Sequence, residues 1–365
     1  MTETSLRLGG GMRQCAESES DWLNAHVYYH GDRTALVVEA IAPLMRECLA
    51  TGLSDGWFFL RDRVGGPHVR LRILPAHPDA RAGLQRVVAD RLTGYLSVGR
   101  PSTVATIPQQ YDVPPAAANM ADHAGLPQPN NAVVFQPYRR ERDRYGDGFA
   151  VQAVERHFTE SSAVAAALLA SPGWPERRVT VGFCLLLLTW VCGQPDLKAL
   201  VRQAATSPQG WSWTLVGSSI EDPDVERDFR ERYEIRRDGL LALADDVRRI
   251  AARAEAGKGT ASLSAWARSV VILRKRLAHL VAAGHFTPSA VGAPGKPTAE
   301  EAATAEQEAA AGPGEPNGHA EAEVFRVLDS CAHLVCNRLD INLHGESYLR
   351  YLAARAATDL AERER

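Results

Sequence analysis

The chain carries no excess of either charge. Its 365 residues hold 41 lysines and arginines against 44 acidic residues, a net charge of −3 at pH 7. Such a balance leaves no global field to hold the chain on a nucleic acid, so direct nucleic-acid binding is not expected. The N-terminus MTETSLRLGGGMRQ has no apolar core of the kind a secretory signal needs. Long hydrophobic runs are missing as well. The most apolar stretch, Val179 to Cys192 (VTVGFCLLLLTWVC), is shorter than the ~20 residues of a membrane span. Its flanks, Glu176-Arg177-Arg178 and Gly193-Gln194-Pro195, suit the ends of a buried helix. These absences point to a soluble, cytoplasmic protein with no membrane partner.

Cysteine is scarce and scattered. Cys15, Cys48, Cys184, Cys192, Cys331 and Cys336 contain no CxxC pair, which argues against a disulfide framework and against zinc. They read as small buried hydrophobes. There is no GxxxxGK loop, no GxGxxG after a strand, no HExxH and no GxSxG. Nucleotide, dinucleotide, metalloprotease and serine-hydrolase chemistries therefore lose their usual support, and neither cofactor nor metal is expected.

What is present is an ordinary globular composition, 45% hydrophobic and 23% charged, long enough to bury a core unaided. Residues 1–20 read as a flexible tail and 21–365 as one domain. In its first half, strand and helix patterns alternate. Trp22 to Tyr29 is β-rich, and Arg33 to Ala50 places Leu36, Val37, Ala40, Ile41, Leu44, Met45 and Cys48 on one helical face. Trp57 to Arg63 and His68 to Leu74 flank a Gly65-Gly66-Pro67 turn as a hairpin. A helix from about Asp79 to Ser97 and a strand from about Thr103 to Ile107 complete a β-α-β-β-α-β order. The predicted class is α+β: a ferredoxin-like, split βαβ antiparallel sheet, then a mostly helical C-terminal half. A further short strand is expected at Val133-Val134-Phe135, and helices over Phe149–Leu169, to Cys192, Pro223–Ala254, Ser262–Ala282, Val324–Leu339 and Glu346–Ala361. Residues 289–321, rich in Ala, Glu, Pro and Gly, read as a disordered insertion.

Three segments could carry chemistry. In His68-Val69-Arg70-Leu71-Arg72-Ile73, period two puts His68, Arg70 and Arg72 on one face. Two arginines there suit a carboxylate or phosphate, although a solvated outer strand face has the same pattern. The run Tyr138 to Gly146 (YRRERDRYG) holds four arginines, two acids and two tyrosines. It is open to reading as a nucleic-acid patch or as a salt-bridged surface loop. Finally, a helix from Val324 sets Val324, Leu328, Cys331, Val335 and Leu339 in an apolar stripe, opposite Arg326, Ser330, His333 and Asn337. His333 is a candidate general acid or base, and a packed histidine is the plain alternative.

These motifs occur together in order: Trp57-Phe58-Phe59-Leu60-Arg61, Gly66-Pro67-His68-Val69-Arg70-Leu71-Arg72, Glu141-Arg142-Asp143-Arg144-Tyr145-Gly146, and His333 to Leu339 (HLVCNRL). The ordered set resembles the C-terminal domain of lantibiotic dehydratases, which also stands alone as thiopeptide-type bacteriocin biosynthesis proteins. The likeness runs from about Trp22 to about Leu352. It implies elimination of glutamate from glutamylated Ser or Thr of a ribosomal precursor peptide, leaving dehydroalanine or dehydrobutyrine. It also implies a separate protein that glutamylates the peptide from glutamyl-tRNA. By this resemblance His333, Arg72 and Arg144 are catalytic, and Arg70 and Glu141 bind substrate. Asp147 departs from the family, which more often has a second glycine there, and an acid in its place changes the backbone of the loop that carries Arg144.

The residue types suit that chemistry. Removing a weakly acidic α-proton while a carboxylate leaves the β-carbon needs a base and fixed cations. Glu141, beside arginines, is better placed to orient one of them than to act as the base. Two further functions stay open. Standalone relatives include pyridine synthases, which join two dehydroalanines in a formal four-plus-two aza-cycloaddition; Trp211-Ser212-Trp213 and the insertion leave room for that. A non-catalytic scaffold that binds the leader peptide on an edge strand is the other. Oligomeric state is not legible, and a homodimer stays open.

Overall fold

The computed structural model of the protein describes residues 21–98, 127–206, 223–259, 261–286 and 316–364. Four strands, β1 (Leu23–Tyr28), β2 (Ser54–Asp62), β3 (His68–Pro75) and β4 (Ala132–Gln136), form a sheet in the order β2-β3-β1-β4. Every neighbouring pair is antiparallel. The hairpin and the strand at Val133-Val134-Phe135 stand where the sequence puts them. The strand expected at Thr103–Ile107 and the tail 1–20 lie outside the described residues. With helices making up most of the remainder, the class is α+β.

Between β1 and β2 runs one helical element: α1 (Arg33–Ala35), a π-helical stretch Leu36–Ile41, and α2 (Ala42–Ala50). Asp32 starts it, its side chain accepting the Thr34 N–H at 2.7 Å. Pro43 lacks an N–H and its ring crowds the carbonyl four residues back, so the wider π turn falls just ahead of it. Leu36, Val37, Ile41, Leu44, Met45 and Cys48 are buried, the face expected from their spacing. They meet the apolar side of the sheet, where Leu23, Ala25 and Val27 align with Ile73, Leu71 and Val69. Helix α3 (Ala80–Ser97) covers the same side through Leu84, Val88, Leu92 and Leu96.

After a short turn α4 (Arg142–Tyr145), the chain is helical: α5 (Phe149–Leu169), α6 (Trp174–Gly193), α7 (Leu197–Thr206), α8 (Pro223–Glu255), α9 (Ser262–Ala282), α10 (Pro316–Arg338) and α11 (Leu343–Arg363). The apolar run is the buried helix α6, packed by α8, α9, α10 and α11. Among the described residues, no helix is long and apolar enough to cross a membrane. Five cysteines are buried, and burial pushes the thiols of Cys192 and Cys331 up to about 12; Cys15 lies outside the described residues. Most of the expected insertion 289–321 does too. Its last residues, from Pro316, are the start of α10 instead of linker. Proline costs nothing in a first helical turn, and the Ala-Glu-Ala-Glu run of residues 320–323 is made of strong helix formers that carry the helix back from Val324.

The sheet and the helices meet at the outer edge of β2. There, side chains take the place of a fifth strand. The Phe59 N–H donates to Ser162 Oγ at 3.1 Å, and its carbonyl accepts Arg338 Nε at 2.9 Å. The Arg61 N–H donates to Asn337 Oδ1 at 2.8 Å, and its carbonyl accepts Asn337 Nδ2 at 2.9 Å. Arg338 is wholly buried and also donates to the Ser161 and Ser162 hydroxyls at 3.1 Å. An exposed edge is thereby closed, and α5 and α10 are held in register with β2. Asn337→Leu keeps the branched shape but strands both Arg61 backbone groups; it is expected to cost about 2–4 kcal/mol of stability. Urea unfolding checks this, and an unchanged midpoint would show that the edge does not depend on Asn337.

Candidate active site

On β1 and β3, alternate residues Asn24, His26, Tyr28, His68, Arg70 and Arg72 share the face away from α3. That face is not solvated, contrary to the plain reading of the strand: Arg70 is 8% exposed, Arg72 1% and His68 0%. Burial on this scale requires partners. The Gly66 carbonyl only accepts, so His68 Nδ1 carries its proton at 2.8 Å from it, and His68 Nε2 accepts from His26 Nδ1 at 3.1 Å. His26 Nε2 in turn accepts the Asn24 amide at 3.1 Å. In the tautomers that fit these bonds, the two rings form a one-way chain of hydrogen bonds across the sheet. Arg70 lies beside it, in an ion pair with Asp62 at 2.8 Å. Burial raises the Asp62 carboxyl's pKa, but Arg70 and the Val64 and Arg63 N–H groups outweigh it and hold the group below its ordinary value.

Arg72 sits deeper. Its guanidinium carbon lies 4.5 Å from the Tyr138 ring centre and 5.4 Å from that of Phe58. Tyr138 is fixed in turn by Glu155, a buried carboxylate that also accepts Trp22 Nε1 at 3.0 Å and Arg140 Nε at 2.9 Å.

A second group of predicted residues gathers between α4 and α10. Arg144 Nη2 donates to Ser330 Oγ at 3.3 Å, and its Nη1 lies 3.9 Å from the Glu141 carboxylate. His333 is three residues beyond Ser330 on the same helix, so Arg144 and His333 address one face about a turn apart. His333 Nδ1 is 2.8 Å from Glu346 Oε2. Glu346 is buried, and its other oxygen accepts Arg350 Nε at 2.8 Å. Arg350 continues to Asp329 Oδ1 at 2.6 Å, which also accepts Trp190 Nε1 at 2.8 Å. Burial pushes the Glu346 carboxyl upward, but the His333 and Arg350 charges and hydrogen bonds prevail and bring it below its ordinary value. Glu346 is therefore an anion at neutral pH. A carboxylate only accepts, so in the neutral ring the Nδ1 of His333 holds the proton and Nε2 presents a lone pair. The side chain is 28% exposed, within reach of a substrate.

Arg144, Glu141 and His333 are thus brought together around Ser330. Arg72 lies in its aromatic enclosure, over the Tyr138 and Phe58 rings. Arg70 is held by Asp62 at the hairpin end of β3 and touches none of them. Of the polar stripe on α10, Ser330 and His333 face the site; Asn337 serves the β2 edge, and Arg326 pairs with Glu323. Asp147 pairs with Arg142 at 3.3 Å, leaving Arg144 to Glu141 and Ser330. Tyr138 and Tyr145 are buried, so neither ring is available to stack on a base. Glu346, Arg350, Asp329 and Glu155 went unread in the sequence. The one local signal was the four-residue spacing of Glu346 and Arg350 on α11. A cavity of about 670 Å³ between α6 and α8, lined by Thr180, Arg236, Arg237, Leu240 and Leu243 among others, holds none of the predicted residues. Among the described residues no three His, Cys, Asp or Glu side chains converge on a metal position.

The model of one family, lantibiotic biosynthesis dehydratase C-term, matches residues 22–357. No curated protein matches the chain. Among solved structures, the pyridine synthase TbtD from thiomuracin biosynthesis is similar at 19% identity with a TM-score of 0.62, covering 94% of this chain and 99% of its own. TsrL is similar at 21% identity and TM-score 0.59, covering 93% and 94%. The tRNA-dependent lantibiotic dehydratase MibB from Microbispora sp. 107891 is similar at 16% identity and TM-score 0.53; the match covers 96% of this chain and 29% of MibB. At such identities the likeness establishes the fold.

Glu346→Gln should cost about 3–5 kcal/mol, because Arg350 and His333 lose a buried counter-charge. The folded pKa of Glu346 lies below its unfolded value near 4.5, so its contribution is complete above that pH and fades as pH falls through the folded pKa. Urea unfolding of both proteins from pH 7 to pH 3 tests this. The curves should converge at the acid end; parallel curves would separate Glu346 from the network.

Proposed function

Because the chain belongs to the lantibiotic biosynthesis dehydratase C-terminal family over residues 22–357, we propose that it eliminates glutamate from glutamylated Ser or Thr side chains of a ribosomal precursor peptide. The observation that carries this is the His333–Glu346 pair, a base oriented by a buried carboxylate with the Arg144 guanidinium one helical turn away. His333 Nε2 takes the α-proton, the electron pair left on the α-carbon forms the double bond, and the β-carbon–oxygen bond breaks to release glutamate as a carboxylate. Arg144 offsets the charge that develops during this step, and Arg72 receives the departing carboxylate. Glu141 holds Arg144 in place, while Arg70, engaged by Asp62, fixes β3 behind Arg72. The peptide arrives glutamylated by a separate tRNA-dependent protein. The strand order supports a ferredoxin-like, split βαβ description of the sheet that carries Arg72.

One observation favours a second function. The fold match to the pyridine synthase TbtD spans 99% of that protein, which leaves cycloaddition of two dehydroalanines on a dehydrated precursor as the alternative.

Incubating the purified protein with a chemically glutamylated peptide is expected to release glutamate. His333→Ala should slow that release ~10²–10⁴-fold while the glutamylated peptide persists in the mass spectrum. Wild-type turnover by this variant would make His333 structural. Arg72→Lys should also lose most activity, since a point charge cannot reproduce the guanidinium fork; full activity would remove Arg72 from the site. If the wild type releases no glutamate but converts a dehydrated precursor with loss of its leader, cycloaddition replaces elimination.

A further inference from the structure

One cross-strand row on the polar face reads Phe58, Arg72, Asn24, Gln136, each paired with the next through the sheet register. Gln136 ends that row at a crevice of about 180 Å³, room for about six waters. Its walls are Leu23, Arg81, Gln85, Phe135, Gln136, Pro137 and Tyr138. The Tyr138 ring is the same one that lies 4.5 Å from the Arg72 guanidinium. The crevice and the Arg72 enclosure therefore share a wall.

The chemistry of the lining is one-sided. Arg81 donates to the backbone carbonyls of Asp21 at 2.9 Å and Trp22 at 3.4 Å, which orients the guanidinium without neutralising it. It forms no ion pair among the described residues. Gln85 and Gln136 also line the crevice, and their side-chain amides make no hydrogen bond among the described residues, so two further donors are left open beside it. A fixed cation with two amides suits a carboxylate. Leu23, Phe135 and Pro137 give its methylenes an apolar seat.

We propose that this crevice is a subsite for an acidic side chain of the peptide substrate, with Arg81 as its cation. The proposal rests on the peptide-modifying function above, and it makes Arg81 a specificity determinant outside the reacting centre. Tyr138, held by Glu155, separates the subsite from Arg72 and sets how far from the reacting residue the acidic side chain must stand.

Two measurements test it. The first needs no catalysis: short peptides that differ only by Glu against Gln are titrated into the protein by calorimetry. The acidic peptide should bind about tenfold more tightly, the reach of one charge-assisted hydrogen bond in a partly open site. Arg81→Gln should abolish the difference, and Arg81→Lys should restore part of it. The second uses glutamylated peptides carrying a single Asp at successive positions. One position should lower KM about tenfold with kcat unchanged, and only while Arg81 is present. Equal binding of Glu and Gln peptides by the wild type would overturn the subsite, as would a difference that survives Arg81→Gln. Selective binding without glutamate release would instead keep the subsite and remove elimination.

Discussion

The outer edge of β2 is the joint on which the arrangement depends. A sheet edge must hydrogen-bond something, and here the partners are Ser162, Asn337 and Arg338, side chains of two helices far away in sequence. Because backbone positions on a strand are fixed to fractions of an ångström, those bonds set the height and rotation of α10 against the sheet. His333 lies one turn before Asn337, and Arg72 lies on β3, the strand next to β2. The separation between the candidate base and the buried arginine is therefore decided by how the edge is closed.

The second constraint is electrostatic. Glu346, Arg350 and Asp329 are charged groups withdrawn from water, tolerable only because each hydrogen-bonds the next and Trp190 completes the set. That network ties α11 to α10 and α6 and aims His333 outward. The sheet's polar face obeys the same rule with different chemistry. Imidazoles pass one hydrogen bond along, Asp62 answers Arg70, and aromatic rings enclose Arg72.

The fold is shared over 94% of the chain with TbtD and 93% with TsrL, and it corresponds to 29% of MibB. A scaffold that stands alone in some proteins and forms part of a longer chain in another must carry its own core. The helical half supplies it through α6, which is enclosed on several sides. The reacting groups are then placed at the rim of that core, where α4 and the exposed face of α10 can differ between relatives without disturbing the packing.

Periodicity alone determined much of this protein. The apolar stripe of α10, the helix face from Leu36 to Cys48, the hairpin around Gly65-Gly66 and the alternation of Arg70 and Arg72 with Val69, Leu71 and Ile73 are local patterns, legible because side-chain direction follows from backbone geometry. The motif order identified the family for the same reason. Partners across the fold carry no such local trace. Nothing near His333 in sequence announces Glu346, and nothing near Arg61 announces Asn337. Whether the arginine face of β3 meets water or protein depends on what covers it. Tertiary structure alone decided that Arg70 pairs with Asp62 while Arg72 is walled in by Tyr138. Burial, long-range hydrogen bonding and charge pairing belong to the packed chain as a whole.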